Sequence, residues 1–166
     1  MKKVIYLCAG NGIINLPGFD IKYNDKFIKR DFTCDCFDVD ISNFDIFIGS
    51  PPCNFYSKAN YRRYISDYSL DTFSILPTML KLFYNSGKPF IIENVINKPL
   101  MFRVINDLPL DIFYFEAGRH CYFTNIYFHF NDKFSKADGI AHMSQKKRQG
   151  SGGVNLVFSR FLSFCY

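Results

Sequence analysis

A thiol and a carboxyl group stand at the ends of two apolar runs. The first run, Phe44-Asp45-Ile46-Phe47-Ile48-Gly49, leads into Ser50-Pro51-Pro52-Cys53-Asn54-Phe55-Tyr56-Ser57. Proline lacks an N–H and fixes φ, so Pro51-Pro52 ends the ladder and stiffens the backbone where Cys53 is presented. A thiolate held there is a nucleophile suited to covalent catalysis. A strand-end cysteine is also often a small buried hydrophobe, so Cys53 alone decides little. The second run, Pro89-Phe90-Ile91-Ile92, closes on Glu93-Asn94-Val95. A glutamate ending an apolar strand is costly unless it is paired or kept protonated, which makes Glu93 a candidate proton donor.

Both runs predict short buried strands, and in an open α/β sheet ligands gather at the carboxyl ends of such strands. Lys2 to Leu7 predicts another, running into Cys8-Ala9-Gly10-Asn11-Gly12. Glycines after a first strand let the backbone turn sharply and approach a ligand, although a lone Gly-x-Gly equally marks an ordinary turn. A helix should follow, but Pro17-Gly18 interrupts it and predicts a short or irregular connection. The second strand is then either Phe19 to Tyr23, followed by Asp25, or Phe27 to Arg30, followed by Asp31. A strand-end acid in this place meets ribose hydroxyls in Rossmann-like units. The longer crossover favours Asp31.

Leu70 to Tyr84 carries Phe73, Leu76, Leu80 and Phe83 at helical spacing, with Pro77 predicting a kink or a late start and Gly87 a stop. Pro99 to Leu110 predicts a second helix, with Leu100, Met101, Val104, Ile105 and Leu108 on one face. Asp111 to Glu116 reads as a strand, and Val154 to Tyr166 as a closing helix.

A Pro-Pro-Cys strand end followed by a Glu-Asn-Val strand end resembles the DNA cytosine-C5 methyltransferase family. Leu7-Cys8-Ala9-Gly10-Asn11-Gly12 resembles its first motif, with Tyr6 where an acid often stands and Ile13 where many members have a further glycine. Gly118-Arg119-His120-Cys121-Tyr122-Phe123-Thr124-Asn125 resembles its arginine-bearing motif, with Arg119 as the first arginine and Ala117 and Cys121 in place of the glutamine and second arginine. The resemblance runs from Val4 to about Phe123. It implies an α/β fold: a single Rossmann-like domain with a doubly wound, mostly parallel sheet. It also implies S-adenosylmethionine as cofactor, held by Leu7, Cys8, Ala9, Gly10, Gly12 and Pro51, with Asp31 at the ribose and Asp35 near the adenine.

The chemistry implied is methylation of carbon 5 of cytosine in double-stranded DNA, with the target base flipped out of the stack. Cys53 attacks carbon 6, Glu93, held protonated, serves ring N3, Asn94 holds the loop, and Arg119 holds the base or its phosphate. Members of the family carry a separate target-recognition region; only Tyr127 to Gly153 occupies that interval here, so specificity is relaxed or comes from a partner protein. The alternative is a catalytically silent relative that binds nucleic acid or a partner. An RNA substrate and an unrelated thiol hydrolase are further rivals.

The 166 residues suit one domain with a real core, and a composition nearly half apolar excludes a disordered chain. Twenty Phe and eleven Tyr without a single Trp suggest AT-rich codon usage, so aromatic richness by itself carries no function. A net charge of +5 is compatible with a polyanionic partner without requiring one. No apolar run reaches membrane-spanning length, and the expectation is a cytoplasmic protein. Six irregularly spaced cysteines predict free thiols, and Cys34 and Cys36 stand too close for a usual zinc site. Ser57 to Ser69 interleaves Lys58, Arg62 and Arg63 with tyrosines, and Lys146-Lys147-Arg148 precedes glycines. Both stretches are candidates for phosphate contact and equally for solvated loops. His120, His129 and His142 read as packing or surface residues.

Overall fold

The computed structural model describes residues 1–56, 75–109, 111–128 and 152–165. Among these residues six strands form one sheet: β1 (Lys2–Leu7), β2 (Phe19–Tyr23), β3 (Ile46–Gly49), β4 (Phe90–Val95), β5 (Phe113–Ala117) and β6 (His120–Thr124), in the order β2-β1-β3-β4-β6-β5. β1 is parallel to β2 and β3, and β3 is parallel to β4, whereas β6 runs antiparallel to both β4 and β5. Five strands therefore point one way and β6 the other. Among the described residues three helices accompany them: α1 (Leu76–Asn85), α2 (Lys98–Asn106) and α3 (Gly152–Phe164), with a short 3-10 turn at Cys36–Asp38.

β1, β3 and β4 are near-continuous apolar runs because both faces of the sheet are covered. The pleat sends Ile5, Leu7, Phe47, Phe90 and Ile92 against Leu76, Met79 and Phe83 of α1 and Met101 and Val104 of α2. It sends Val4, Tyr6, Ile46, Ile48 and Ile91 against Val157, Phe158, Phe161 and Leu162 of α3. Each such fully buried apolar side chain stabilises the fold by about 1.5–3 kcal/mol. Architecture thus follows from strand runs too apolar to leave either face in water.

Pro77 produces the late start: α1 begins at Leu76 with the proline in its first turn, where a missing N–H leaves no bond unmade. The part of the expected helix from Leu70 to Ser74 lies outside the described residues. α2 uses Pro99 the same way and stops at Asn106, short of Leu110. The strand expected at Asp111 to Glu116 is Phe113–Ala117, and it turns through Gly118-Arg119 into β6.

The second strand differs from the favoured reading. It is Phe19–Tyr23, paired in parallel register with Lys2–Tyr6, while Phe27 to Arg30 forms no strand. The strand-end carboxylate is accordingly Asp25 rather than Asp31. A long crossover is unnecessary because residues 13–18 form no helix. Instead the Tyr23 hydroxyl donates to the Ile14 carbonyl (2.8 Å) and accepts from the Ile14 N–H (3.1 Å), folding the short connection onto β2.

All six cysteines are free thiols. Among the described residues no helix is long and apolar enough to cross a membrane, and no cluster of three His, Cys, Asp or Glu side chains is placed to hold a metal. The basic stretches at 57–69 and 146–148, with His129 and His142, lie outside the described residues.

Candidate active site

The chain leaves β1 for β2 on one side, while β3 occupies the other side of β1, so the strand order reverses at the carboxyl ends of β1 and β3. Such a reversal opens a crevice in an α/β sheet. A cleft of about 250 Å³ lies there, lined by Tyr6, Ala9, Asn11, Gly12, Ser50, Glu93, Val154 and Asn155.

Tyr6 and Ser50 join the ends of β1 and β3 through a 2.9 Å hydroxyl–hydroxyl bond. Burial pushes the Tyr6 phenol well above its ordinary value, so the link is between neutral groups. Phe158 of α3 meets the Tyr6 ring edge-on at 5.4 Å.

The turn after β1 is tight. Cys8 and Gly10 both take left-handed backbone, with φ of 56° and 54°. For a non-glycine residue such as Cys8 that conformation costs on the order of 1–3 kcal/mol. Gly12 donates its N–H to the Ala9 carbonyl at 2.8 Å. A Cβ at Gly12 would stand 2.9 Å from that carbonyl and 3.1 Å from the Tyr6 hydroxyl, so a side chain there must break the turn.

Buried Asn24 ties this turn to the end of β2. Its N–H donates to the Tyr6 carbonyl and its carbonyl accepts from the Ala9 N–H, both at 2.9 Å, while its side chain donates to the Cys34 carbonyl at 3.0 Å. Asp25 accepts from the Gly10 N–H (2.9 Å), the Phe27 N–H (2.8 Å) and the Ile28 N–H (3.0 Å). A carboxylate offers roughly four acceptor positions, so most of those on Asp25 are taken.

Arg30 Nε donates to the Gly10 carbonyl at 3.0 Å. Asp31 accepts from the Tyr23 N–H at 2.9 Å. Asp35 caps the 3-10 turn through the Phe37 N–H (3.2 Å) and pairs with Lys26 (3.2 Å). These two contacts, the backbone one first, hold its carboxyl below the usual range. Neither Asp31 nor Asp35 lines the cleft.

At the neighbouring edge the Pro-Pro-Cys turn is fastened to β4. Asn94, buried, donates from Nδ2 to the Pro51 carbonyl at 3.1 Å and accepts the Val95 N–H at 2.9 Å. Asn97 donates to the Tyr56 carbonyl at 2.8 Å, and the Tyr56 N–H closes a turn onto the Cys53 carbonyl at 3.0 Å. Cys53 is half-buried. Burial pushes its thiol up, and the Glu93 carboxylate pushes it further the same way. At rest the sulfur is therefore held as a thiol, under the electrostatic influence of Glu93.

The pleat of β4 places Asn94 on the α1 side and Glu93 on the α3 side, where only 12% of the Glu93 side chain is exposed. Glu93 finds a partner: His120 Nδ1 shares a short hydrogen bond with Glu93 Oε1. His120, expected as a packing or surface residue, thus also touches the candidate acid. Arg119 sits exposed in the β5–β6 turn, its carbonyl accepting from the Ile96 N–H at 3.1 Å. Cys121, facing the opposite side, is pushed to about 12, by burial first and by Glu93 second.

Of the residues expected at a cofactor, Ala9 and Gly12 line the cleft. Cys8 and Gly10 shape its turn, Leu7 is buried in the core on the α1 side, and Pro51 anchors the Cys53 turn. Tyr6, Ser50 and Asn155, which line the cleft, and His120, which meets Glu93, were not foreseen. Asn155 donates to the Ile13 carbonyl at 2.9 Å, yet its Oδ1 is buried in the cleft wall with no partner among the described residues. No family model matches the chain, and no curated protein matches it.

Proposed function

We propose that the protein transfers a methyl group from S-adenosylmethionine to carbon 5 of cytosine in DNA, with Cys53 as nucleophile and Glu93 as proton donor. One observation carries this reading: Cys53 follows the carboxyl end of β3 and Glu93 stands in the second half of the adjacent parallel strand β4, near enough for Glu93 to raise the thiol, beside a cleft at the reversal of strand order. Helices on both faces and a single antiparallel strand near one edge of the sheet support a doubly wound, Rossmann-like methyltransferase fold.

The residues present fit the cofactor. Asn155 Oδ1 is a buried acceptor awaiting a donor, such as an ammonium or amino group. Ala9 and Gly12 would border the cofactor from the β1 turn, and the open cleft admits part of an extended ligand. When bound, S-adenosylmethionine supplies an electrophilic methyl group to carbon 5.

The chain's own residues make that carbon reactive. Cys53 gives up its proton to a base in solvent and its sulfur bonds to carbon 6, while Glu93 passes a proton to ring N3 and the electron pair moves toward carbon 5. After methylation the carbon 5 proton leaves to a base in solvent. The sulfur–carbon 6 bond then breaks, and the N3 proton returns to Glu93. A proton on Glu93 acts twice, since it also removes the negative charge that keeps Cys53 protonated. Asn94 holds the turn that presents Cys53. Duplex DNA must flip its cytosine out to reach this edge.

The resting thiol and the nearly filled acceptor set of Asp25 favour the second reading, a silent relative that binds nucleic acid or a partner. Incubation with tritiated S-adenosylmethionine and a panel of duplex DNA, single-stranded DNA and RNA separates the two, with calorimetry of cofactor binding alongside. Label on cytosine carbon 5 of duplex DNA supports transfer. Cofactor or DNA binding without label supports the silent reading.

A further inference from the structure

The β4–β6 ladder pairs Glu93 with Tyr122 and Val95 with His120. Alternation then puts Glu93, Tyr122 and His120 on one face of the sheet, with His120 diagonal to Glu93 and within reach of it. The contact made is specific: Nδ1 of a half-buried imidazole against Oε1 of a carboxyl group that is nearly enclosed. Glu93 lines the cleft. Arg119, one residue earlier, falls in the exposed turn, so the strand register selects the histidine as the partner.

We infer that His120 is the positioning residue for Glu93. It donates its Nδ1–H to Oε1, fixes the rotamer of the carboxyl group, and leaves Oε2 to exchange the proton with the substrate ring. This rests on the methyl-transfer reading, in which Glu93 must meet ring N3 in one geometry. A carboxyl group with both oxygens free to rotate samples many geometries, and an outer partner removes that freedom. The imidazole is 35% exposed against 12% for the carboxyl side chain, so the pair meets solvent mainly through the ring.

The test compares wild type, His120→Ala, His120→Asn, Glu93→Gln and the Glu93→Gln/His120→Ala double variant in single-turnover methyl transfer at saturating cofactor and DNA. His120→Ala should slow transfer roughly 10- to 100-fold, the usual worth of an outer partner that orients a reacting group, with cofactor affinity and the KM for DNA unchanged. His120→Asn, whose amide can offer an N–H from nearly the same place, should recover most of the rate. The double variant should be no slower than Glu93→Gln alone, because the two act as one unit.

A second readout needs no turnover: the imidazole N–H resonance of His120 should shift upfield in Glu93→Gln. Full activity in His120→Ala, additive losses in the double variant, or an unmoved resonance each overturn the assignment. A wild type that labels no nucleic acid overturns the methyl-transfer reading instead, and the resonance then decides the pairing on its own.

Discussion

Asn94, from the end of β4, donates to the carbonyl of Pro51 at 3.1 Å, so the strand that carries Glu93 also holds the turn that presents Cys53. Two side chains separated in sequence are thereby fixed relative to each other by the residue next to one of them. Asn94→Ala leaves the Pro51 carbonyl and the Val95 N–H without their partner. Denaturant unfolding should report a loss of about 1–3 kcal/mol, the usual cost of a buried unsatisfied group. An unchanged midpoint would mean that the turn is held elsewhere, through Asn97 and Tyr56.

Burial raises the Cys53 thiol, and the charge on Glu93 raises it further. A negative neighbour disfavours the thiolate, so neutralising it by Glu93→Gln lowers the Cys53 pKa, and thiol alkylation at Cys53 should reach half its maximum at lower pH than in wild type. Peptide-resolved mass spectrometry separates Cys53 from Cys121 and Cys165, whose thiols burial pushes to about 12 and about 11. A profile that stays in place, or moves to higher pH, contradicts the coupling. In the methyl-transfer reaction the same variant should lose about 10²–10⁴-fold in turnover, the range usual for a positioned proton donor.

The strands at Lys2–Leu7 and Phe90–Val95 were legible because each is a dense apolar run with a sharp terminator, and Pro77 announced the start of α1. β2 was harder. Phe19–Tyr23 and Phe27–Arg30 are equally short and mixed, and only pairing with β1 separates them. Asn24, His120 and Asn155 were hidden for a related reason. Their partners are Tyr6 and Cys34, Glu93, and Ile13, contacts that depend on three-dimensional register rather than on any local pattern. Alternation along β6 was the one available pointer to His120.

Asn155 offers a test of the cofactor site. Replacing its unpartnered acceptor by Asn155→Leu should weaken S-adenosylmethionine by roughly tenfold or more in calorimetry, as expected for a lost hydrogen bond to a charged or polar ligand group. Equal affinity in a folded Asn155→Leu protein would place the cofactor outside this cleft.

Specificity should be low. A base pair is read by side chains fixed against its groove edge, each good bidentate contact giving about 1–3 kcal/mol, and the interval from Tyr127 to Gly153 is short for such a platform. Lys146, Lys147 and Arg148 suit phosphate, which positions a protein without conveying sequence. Sequencing of methylated plasmid should report a dinucleotide or less, with activity falling steeply as salt rises. A unique longer site generated by the purified chain contradicts this, and specificity that appears only with an added protein points to a partner.

Methyl transfer by this route requires a covalent bond between Cys53 and carbon 6 of cytosine, which duplex DNA containing 5-fluorocytosine would trap. Fluorine cannot leave as a cation, so under the proposed mechanism elimination stalls after methyl transfer and the protein remains attached to the DNA. With S-adenosylmethionine present, wild type should give a denaturation-resistant adduct mapping to Cys53, and Cys53→Ala should give none. An adduct that survives Cys53→Ala, or maps to Cys8 or Cys121, would show that Cys53 is not the nucleophile.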